Sequence, residues 1–552
     1  MPTLTAPRAA TVACALALCT ATTQAQSGLY THDLGFRIRV PDDWNNVPIQ
    51  IDENWIVAKF LSEKSWISKD RDWNREHHPL MTIVVFTEDA TRFQGWTEQQ
   101  KGDTTFVRVT GLPYRDYRDY LKRNLQDGYY FEKEETVEAG DMEVSRFEIL
   151  RHKSEPKLRL ITCVFHGQDM DVAVEFEVLE DRLDRLRGEC ERALKSFRFD
   201  DRGILPNAPT TGESSRRTSD KLWTEFREEW KKTDVEERHR LRQDVEEQRF
   251  ARVRAATPED WVVEESPHFL VVSHADGRFT KRMVDAAEEF REWCDDNFAD
   301  LSDEYVRRNV LRVCKDDAEW EAYRFKVSGD SWAYSIDDSR EVVTYRDNYN
   351  GSSGRDAGYF FGDILQMYLA DKDPYLLQYT PYWLRTGLYE YVSEAMLKGR
   401  RIEFDASDWE KEAMRELERE EKLETFQNLV TLDEKRFRNL VERDHRYRYQ
   451  LTNAVRFLLG PGRRHKPLRD FLPRYFGAVI EHAEKNRDKW KAVDATYSAE
   501  TEEEEEARRK ERDDRYAERR EAIHEAITKS VFDLSEKDWA RIERAYAKFA
   551  RD

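Results

Sequence analysis

The sequence predicts an α+β protein: an α/β sandwich followed by a domain with a small mixed sheet and a helical lobe. Short runs of alternating apolar and polar residues fill positions 29–200, which is typical of strands interrupted by few helices. The second half opens with strands and continues into helical segments. At 552 residues the chain is too long for one hydrophobic core, so we expect at least two domains.

Composition excludes several classes of protein. Hydrophobic residues make up 39% of the chain and include 28 Phe, 24 Tyr and 15 Trp, which is enough for packed cores rather than global disorder. The formal net charge of -20 disfavours nucleic acid as a partner. No G-x-S-x-G, phosphate-binding loop, dinucleotide fingerprint or Cys-x-x-Cys occurs, so these chemistries have no support.

The first 25 residues predict a signal peptide. Arg8 precedes the apolar run Ala9–Ala21, and Thr23-Gln24-Ala25 places small residues before the expected cleavage point. The run is too short to span a bilayer and no later segment is long enough, so we expect a secreted or periplasmic protein without a transmembrane segment. Lipid attachment at Cys19 is the alternative, which the bulky Leu18 disfavours.

Residues 29–200 form the first predicted domain. The stretch Gly35–Trp44 alternates and stops at a proline turn, as a strand does. His32, Asp33, Asp42 and Asp43 flank it, and we interpret these residues as a strand start and a turn rather than a catalytic cluster. Further strands are predicted at Trp55–Leu61, Met81–Phe86, Glu143–Leu150, Leu158–Phe165 and Val172–Val178, and helices at Tyr114–Leu125 and Glu180–Lys195. This pattern predicts a largely antiparallel sheet.

The opening Gly35-Phe-Arg-Ile-Arg-Val-Pro-Asp-Asp-Trp44 and the closing Ala193-Leu-Lys-Ser-Phe-Arg-Phe199 resemble PsbP-like domains. The resemblance implies a domain that binds or stabilises other proteins and carries no catalytic residues. Residues 201–260 then predict a linker, rich in Pro, Gly and Ser over Gly203–Ser215, and a charged, mostly exposed helix over Lys221–Arg254.

The second predicted domain spans residues 261–480. It begins with a strand at Val262–Ser273 and a helix at Thr280–Phe298. A strand at Val310–Cys314 and a hairpin-like segment at Ser331–Tyr345 follow. Next come two apolar helical segments, Asp356–Ala370 and Pro381–Ser393, which hold the most informative residues of the chain.

The layout of these two segments resembles the HExxH helix and the downstream P-x-W-L-x-E-G-x-x-E-Y helix of gluzincin, peptidase-MA-like metallopeptidases. In that family two His and a distant Glu hold zinc, and the Glu of HExxH activates water. The matching pentapeptide here is Gly362-Asp363-Ile364-Leu365-Gln366, and Thr386 stands at the distant Glu position. By the order of elements the resemblance covers Trp261–Phe476, and it implies a metallopeptidase domain whose site has degenerated.

The altered residues predict that no zinc or other cofactor is bound. Gly362, Gln366 and Thr386 are vestigial ligand positions, and Asp363 is a shortened vestigial base. Elsewhere no two of the twelve His are four residues apart. Asp363, Glu390 and Glu394 are the alternative metal ligands, and they suit Mg or Ca better than Zn. Gly362 either admits a neighbouring aromatic ring or records a tolerated loss, and the second interpretation is favoured.

The C-terminal region divides in two. Residues 481–520 are dominated by charge and predict an insertion that is either helical or disordered. Residues 521–552 predict an amphipathic helix, capped by Ser535, that packs back on the helical lobe. Its apolar face consists of Trp539, Ile542, Tyr546 and Phe549.

Four cysteines lie beyond the leader, as the pairs Cys163/Cys190 and Cys294/Cys314. In an oxidising compartment each pair is compatible with a disulfide or with packed free thiols.

Three functions stay open. The favoured hypothesis is an exported, non-catalytic pseudo-metallopeptidase that binds a polypeptide or cell-surface partner. The alternatives are an active metal-dependent peptidase or hydrolase with atypical ligands, and a structural or assembly protein.

Overall fold

The computed structural model describes most of the chain. The described residues are 28–50, 55–69, 76–87, 95–101, 104–110, 114–125, 128–139, 142–154, 156–200, 227–324, 340–346, 358–398, 401–494 and 502–551. The expected signal peptide and the Gly203–Ser215 linker lie outside them, as does most of the hairpin-like segment. In the described part, no helix combines the length and the apolar character needed to cross a membrane.

The chain divides into two compact units, and the fold is of the α+β class. The first unit comprises Met1–Asn46, Asn54–Arg92 and Pro113–Thr210, and the second comprises the rest. Strands dominate the first unit. A small sheet and many helices make up the second.

The first part of the chain, up to residue 200, contains fourteen described strands and two described helices. The strands are β1 (Leu29–His32), β2 (Phe36–Arg39), β3 (Trp44–Val47), β4 (Ile56–Ser62), β5 (Trp66–Ile67), β6 (Glu76–His77), β7 (Leu80–Phe86), β8 (Gly95–Lys101), β9 (Thr104–Thr110), β10 (Tyr129–Ala139), β11 (Met142–Arg151), β12 (Leu158–His166), β13 (Asp171–Leu179) and β14 (Arg198–Phe199). The helices are α1 (Tyr117–Leu125) and α2 (Leu183–Lys195).

The main sheet has seven strands in the order β10-β11-β12-β13-β7-β4-β3, and a smaller sheet has the order β1-β2-β14. The strand pairs β10-β11, β11-β12, β12-β13, β13-β7 and β7-β4 are antiparallel, which confirms the predicted topology. Strand β13 is buried on both faces. On one face the Tyr117 hydroxyl of α1 donates to the Glu175 carboxyl at 2.6 Å, and burial raises the pKa of Glu175 to about 7.

The second unit contains most of the helices. They are α3 (Arg227–Lys232), α4 (Val235–Ala255), α5 (Gly277–Phe298), α6 (Asp317–Arg324), α7 (Gly358–Lys372), α8 (Pro374–Tyr379), α9 (Tyr382–Ser393), α10 (Asp408–Arg419), α11 (Phe426–Thr431), α12 (Glu434–Arg443), α13 (Arg446–Leu459), α14 (Phe471–Asp494), α15 (Glu502–Val531) and α16 (Glu536–Phe549). Beyond residue 226 the strands are β15 (Val262–Glu265), β16 (Phe269–Ser273), β17 (Asn309–Cys314), β18 (Glu341–Tyr345), β19 (Met396–Lys398) and β20 (Arg401–Glu403). Strands β8 and β9, given above, also belong to the second unit.

The small sheet of this unit is mixed, in the order β15-β16-β17-β18. Strands β16, β17 and β18 are parallel, and β15 pairs antiparallel with β16. The single strand predicted over Val262–Ser273 is therefore wrong, because the chain turns at Ser266, whose N–H donates to the Phe269 carbonyl at 2.9 Å. Pro267 lies inside this turn, where no hydrogen bond between strands requires the backbone N–H that proline lacks.

The four described cysteines are free and buried, so the disulfide alternative is wrong. Cys294 belongs to the large core formed with the helices, whereas Cys314 belongs to a smaller cluster that includes Phe250 and Trp261. The two thiols thus pack in separate cores. Burial raises the pKa values of both Cys163 and Cys190 to about 12, so these thiols remain protonated small apolar groups.

The expectation of a mostly exposed helix over Lys221–Arg254 is confirmed only in part: α4 is helical and exposes many side chains, but it buries one charged stripe. In α4 the polar side chains of Arg242, Glu246 and Arg249 are only 0, 1 and 2% exposed. Glu246 explains part of this burial, because it accepts bonds from the backbone and the guanidinium of Arg308. Buried charges are tolerated when they are paired, and composition alone does not reveal the partners.

The charged stretch at 481–520 is helical wherever it is described, as the end of α14 and the start of α15. The predicted C-terminal amphipathic helix is confirmed over Glu536–Phe549, but residues 521–531 instead continue α15, so the expected boundary at 521 is wrong. The Ser535 hydroxyl caps α16 by accepting from the Asp538 N–H. Ile542 and Tyr546 are buried in the large core, against which Trp539 and Phe549 pack.

A buried carboxylate, Asp371, organises the second unit. It lies near the end of α7 and is 0% exposed. Arg307 donates to it from its backbone N–H at 2.9 Å and from Nη2 at 2.6 Å. Arg340 donates from Nη2 at 2.6 Å, and Arg242 of α4 lies 3.5 Å away. Burial alone would raise the pKa of Asp371, but the three guanidinium groups outweigh it and hold that pKa far below its usual range.

We expect Asp371→Asn to lower the free energy of unfolding by about 3–5 kcal/mol, because three buried guanidinium groups lose their shared counter-charge. Urea unfolding followed by tryptophan fluorescence measures this loss. Asp285→Asn is the matched control, since Asp285 is exposed and pairs with Lys281 on the same helix. The control should cost less than about 1 kcal/mol. Equal losses at the two positions would contradict the central role of Asp371.

Candidate functional site

Helices α7 and α9 each bury most of their surface and leave one half-buried stripe of side chains. Both sequences are largely apolar, so they pack into the large core on most sides. The half-buried stripe of α7 consists of Asp363, Gln366 and Ala370. The half-buried stripe of α9 consists of Tyr382, Arg385, Thr386, Tyr389, Glu390 and Ser393. We call these residues together the α7–α9 face.

Three of the four positions singled out by the sequence lie on this face: Asp363, Gln366 and Thr386. The fourth, Gly362, is buried where the two helices touch. Two separate segments contribute these positions, and the helices that carry them touch at Gly362.

Gly362 is covered by the ring of Tyr389. A Cβ atom on residue 362 would lie 2.3 Å from Cε2 and 2.8 Å from both Cδ2 and Cζ of that ring. Carbon atoms that are not bonded approach to about 3.5 Å, so even a methyl group would require the ring to move. Gly362 thus admits an aromatic side chain, and the favoured interpretation of it as a tolerated loss is wrong.

The opposite side of α9 is held equally closely. A Cβ on Gly387 would lie 2.9 Å from Cγ2 of Val455 and 3.0 Å from the Leu451 carbonyl oxygen, both on α13. Two glycines therefore set the position of α9, one against α13 and the other beneath Tyr389. A helix packed this closely on two sides has little freedom to shift away from α7.

The alternative metal site of three carboxylates is not assembled. Glu390 lies 3.4 Å from Arg448, and burial raises its pKa. Glu394 instead accepts a hydrogen bond from Ser407 at 2.9 Å and lies 3.5 Å from Arg456. Among the described residues, no three His, Cys, Asp or Glu side chains are grouped so that they could hold a metal ion.

Glu394 forms a carboxyl pair with Glu410 of α10. Glu410 is fully buried, and Arg456 donates to it from Nη2 at 2.6 Å and from Nε at 3.2 Å. Burial, with the neighbouring Glu410 charge, raises the pKa of Glu394 to about 7. One arginine faces two carboxyl groups, so the pair is most stable with one proton between them.

The residues that suggested a cluster near the N-terminus have local roles. His32 Nδ1 accepts from the Leu34 N–H at 3.1 Å, and its ring stacks on Phe36. Asp43 has a φ of 63° in its turn and pairs with Lys64 at 2.8 Å. The turn interpretation of His32 and Asp43 is therefore confirmed.

Sequence reasoning missed Tyr389 and Glu410. Tyr389 stands one turn after Thr386 on the same helix, and a glycine in the middle of an apolar helix was its one signal. Glu410 left no signal, because nothing in its neighbourhood along the chain distinguishes a buried carboxyl group from an exposed one.

No protein-family model and no curated protein matches the chain. Three solved structures are similar to part of it, each at 12% sequence identity. Cyanobacterial PsbP (CyanoP) from Synechocystis sp. PCC 6803 matches over 33% of this chain and 98% of its own, with a TM-score of 0.21. PA94 from Pseudomonas aeruginosa, of unknown function, matches over 30% and 93%, with a TM-score of 0.18. LpqN, involved in cell envelope biogenesis of Mycobacterium tuberculosis, matches over 30% and 83%, with a TM-score of 0.19. Similarity this distant does not indicate a shared function.

Gly362→Ala should destabilise the protein by about 1–3 kcal/mol, because the added methyl group collides with the Tyr389 ring. Alanine is otherwise the better helix former by about 1 kcal/mol. Gly477→Ala is the control, since Gly477 lies in α14 with no atom within 4 Å of a Cβ there, and it should not destabilise. In the double variant with Tyr389→Ala, the cost of Gly362→Ala should disappear, which a double-mutant cycle of urea unfolding measures. Equal effects of the two Gly→Ala substitutions would exclude the contact.

The carboxyl pair makes stability depend on pH. The pKa of Glu394 is higher in the folded protein than its ordinary value of 4.5, so the folded state holds the proton more tightly. This stabilisation is complete below about pH 4.5 and is lost as the pH rises through about 7. Glu394→Gln keeps a neutral donor at every pH. It should therefore be more stable than wild type at pH 8 by about 1–2 kcal/mol and similar at pH 5. Thermal melts at the two pH values measure this difference. Glu442→Gln, at an exposed position on α12, is the control and should differ from wild type by the same amount at both pH values. If the effect of Glu394→Gln were also independent of pH, the shared proton would be contradicted.

Proposed function

We propose that the protein is an exported, non-catalytic pseudo-metallopeptidase that binds a polypeptide along the α7–α9 face. One observation carries the proposal: the Tyr389 ring lies against Gly362, where the gluzincin resemblance expects the first zinc ligand. An aromatic ring thus occupies the space that a ligand side chain would need. Under this proposal, the region from Trp261 to Phe476 keeps the helices of such a domain without its ligand set.

The chemistry of the remaining residues supports the absence of zinc. Zinc in proteins is held at about 2.0–2.3 Å by His, Cys or carboxylate side chains. Gly362 offers no donor, Gln366 and Thr386 are neutral and weak, and Asp363 is one methylene shorter than the expected base. These residues do not fit a catalytic zinc site, and no hydrolytic step follows from them.

The composition of the α7–α9 face supports a polypeptide ligand. Tyr382 and Tyr389 provide rings that lose little conformational entropy on binding, and Arg385 belongs to a residue type enriched at interfaces. Thr386 on the same helix and Gln366 on α7 add half-buried hydrogen-bonding groups. Half-buried rings beside polar groups are suited to holding a chain without cutting it.

Export is part of the proposal and is supported by the apolar run Ala9–Ala21 and the small residues that follow it. Protein recovered from the exported fraction should begin near Gln26. Intact Met1 in that fraction would contradict cleavage of a leader.

The experiment uses purified protein and fluorescein-labelled decapeptides of randomised sequence. We expect binding by fluorescence anisotropy, no cleavage over a day, and less than about 0.1 zinc per chain by mass spectrometry, because the ligand set is absent. Thr386→Trp should abolish binding by filling the face, whereas Lys411→Trp at an exposed position of α10 should not. Stoichiometric zinc, peptide cleavage or failure to bind any peptide would overturn the proposal.

A gain-of-function variant tests the assigned register. Gly362→His, Asp363→Glu, Gln366→His and Thr386→Glu should be combined with Tyr389→Ala, since the ring must leave before a ligand fits. The folded variant should bind zinc, and one without zinc affinity would show that the register is wrong.

A further inference from the structure

Arg385 has an unusual position on the α7–α9 face. It lies on α9 one turn before Tyr389, and its guanidinium carbon is 5.5 Å from the centre of the Tyr382 ring. Among the residues that the structure describes, its side chain forms no hydrogen bond or ion pair. A half-buried guanidinium group normally has an acidic partner, because its five N–H groups need acceptors.

The neighbouring arginines are arranged differently. Arg438 donates to Glu434 Oε1 at 2.8 Å, and Arg520 donates to both oxygens of Glu434, each at 2.8 Å. Glu434 thus serves two guanidinium groups. Arg438 also lies 5.2 Å from the Tyr382 ring centre, so one ring adjoins both Arg438 and Arg385.

The electrostatic environment of Arg385 is positive. Burial lowers the pKa of Arg385, and the Arg520 charge lowers it further, while Glu434 opposes both. Glu521 stands behind Glu434, where it accepts from the Glu434 N–H at 3.0 Å. Three guanidinium groups therefore lie around Glu434, whose carboxylate is bonded to two of them. An added carboxylate would relieve this repulsion and give Arg385 the acceptors it lacks.

We propose that Arg385 recognises a carboxylate of the bound polypeptide, from an acidic side chain or from the chain's C-terminus. The inference rests on the proposed peptide binding and names the chemical class of its ligand. The planar guanidinium group offers two parallel N–H donors that match the two oxygens of a carboxylate. The Tyr382 ring beside it favours the charged group and restricts its orientation. The ligand expected here is an acidic peptide, although the whole protein carries a net charge of -20.

The test compares three fluorescein-labelled decapeptides at low salt by anisotropy. They are (Ser-Glu)5 amide, (Ser-Gln)5 amide and (Ser-Gln)5 with a free C-terminus. Wild type should bind the glutamate peptide about tenfold more tightly than the glutamine amide, since charge-assisted bonds are stronger than neutral ones. A matching gain for the free-acid peptide would assign the carboxylate to the C-terminus, which also supports the proposal.

Arg385→Gln should abolish the preference for carboxylate, so that the glutamate peptide and the glutamine amide bind with equal affinity. Arg385→Lys keeps the charge and loses the paired donors, so it should retain only part of the preference, and it decides the matter if Arg385→Gln does not fold. Arg443→Gln, at an exposed position of α12, is the matched control and should retain the preference.

The two proposals fail in different ways. If wild type binds the three peptides equally, recognition by Arg385 is overturned and peptide binding stands. If none of the three peptides and no randomised peptide binds, the proposed function itself is overturned. Persistence of the preference in Arg385→Gln would assign it to another residue and would also overturn the inference.

Discussion

The shared counter-charge of Asp371 is the interaction on which the rest of the second unit depends. Its two oxygens accept hydrogen bonds from Arg307, in the segment before β17, and from Arg340, the residue before β18. They also form an ion pair with Arg242 of α4. Four parts of the chain are therefore held at one buried point. A buried carboxylate tolerates this position only while its partners are present, so the arrangement links the sheet, α4 and α7. Arg340 adopts a φ of 43°, a strained value for a residue with a side chain, and its bonds to Asp371 help to hold it there.

A second buried pair lies two residues further along the chain. Asp373 caps α8 by accepting from the Tyr375 N–H at 2.9 Å, and it also pairs with Arg227 of α3. Arg227 reaches Glu484 of α14 at 2.6 Å. The junction between α7 and α9 is thus fixed by charges on one side and by the close packing of Gly387 on the other. These constraints bring Tyr389 over Gly362.

Three features hold the helices of the second unit together: the charge cluster around Asp371, the close contacts at Gly362 and Gly387, and the large apolar core. Tyr389 fills space that would otherwise be a cavity, and cavities cost stability in proportion to their size. Under the proposed function the half-buried stripes contact the bound polypeptide, and Arg385 beside Tyr382 gives that surface a preference for carboxylate.

Local patterns in the sequence predicted much of the fold. Alternating apolar residues identified β4, β7, β11, β12 and β13, and the Ser535 cap and apolar face identified α16, because these features depend on neighbours in the chain. The motif comparison singled out Asp363, Gln366 and Thr386, which lie half-buried on α7 and α9. Local sequence was enough for these features, since helical and strand periodicity place side chains on a known side of each element.

Only the tertiary structure decided the features that depend on distant partners. The burial of Arg242, Glu246 and Arg249 on a charged helix could not be predicted from the helix alone. Glu246 pairs with Arg308 and Arg242 with Asp371, and both partners are distant in the sequence. The separation of Cys294 from Cys314 and the pairing of Glu394 with Glu410 depend on which faces meet. The contact of Gly362 with Tyr389 is of the same kind. Sequence determined which residues each helix presents, and packing determined what those residues touch, because close contact between distant segments is settled only when the whole core is filled.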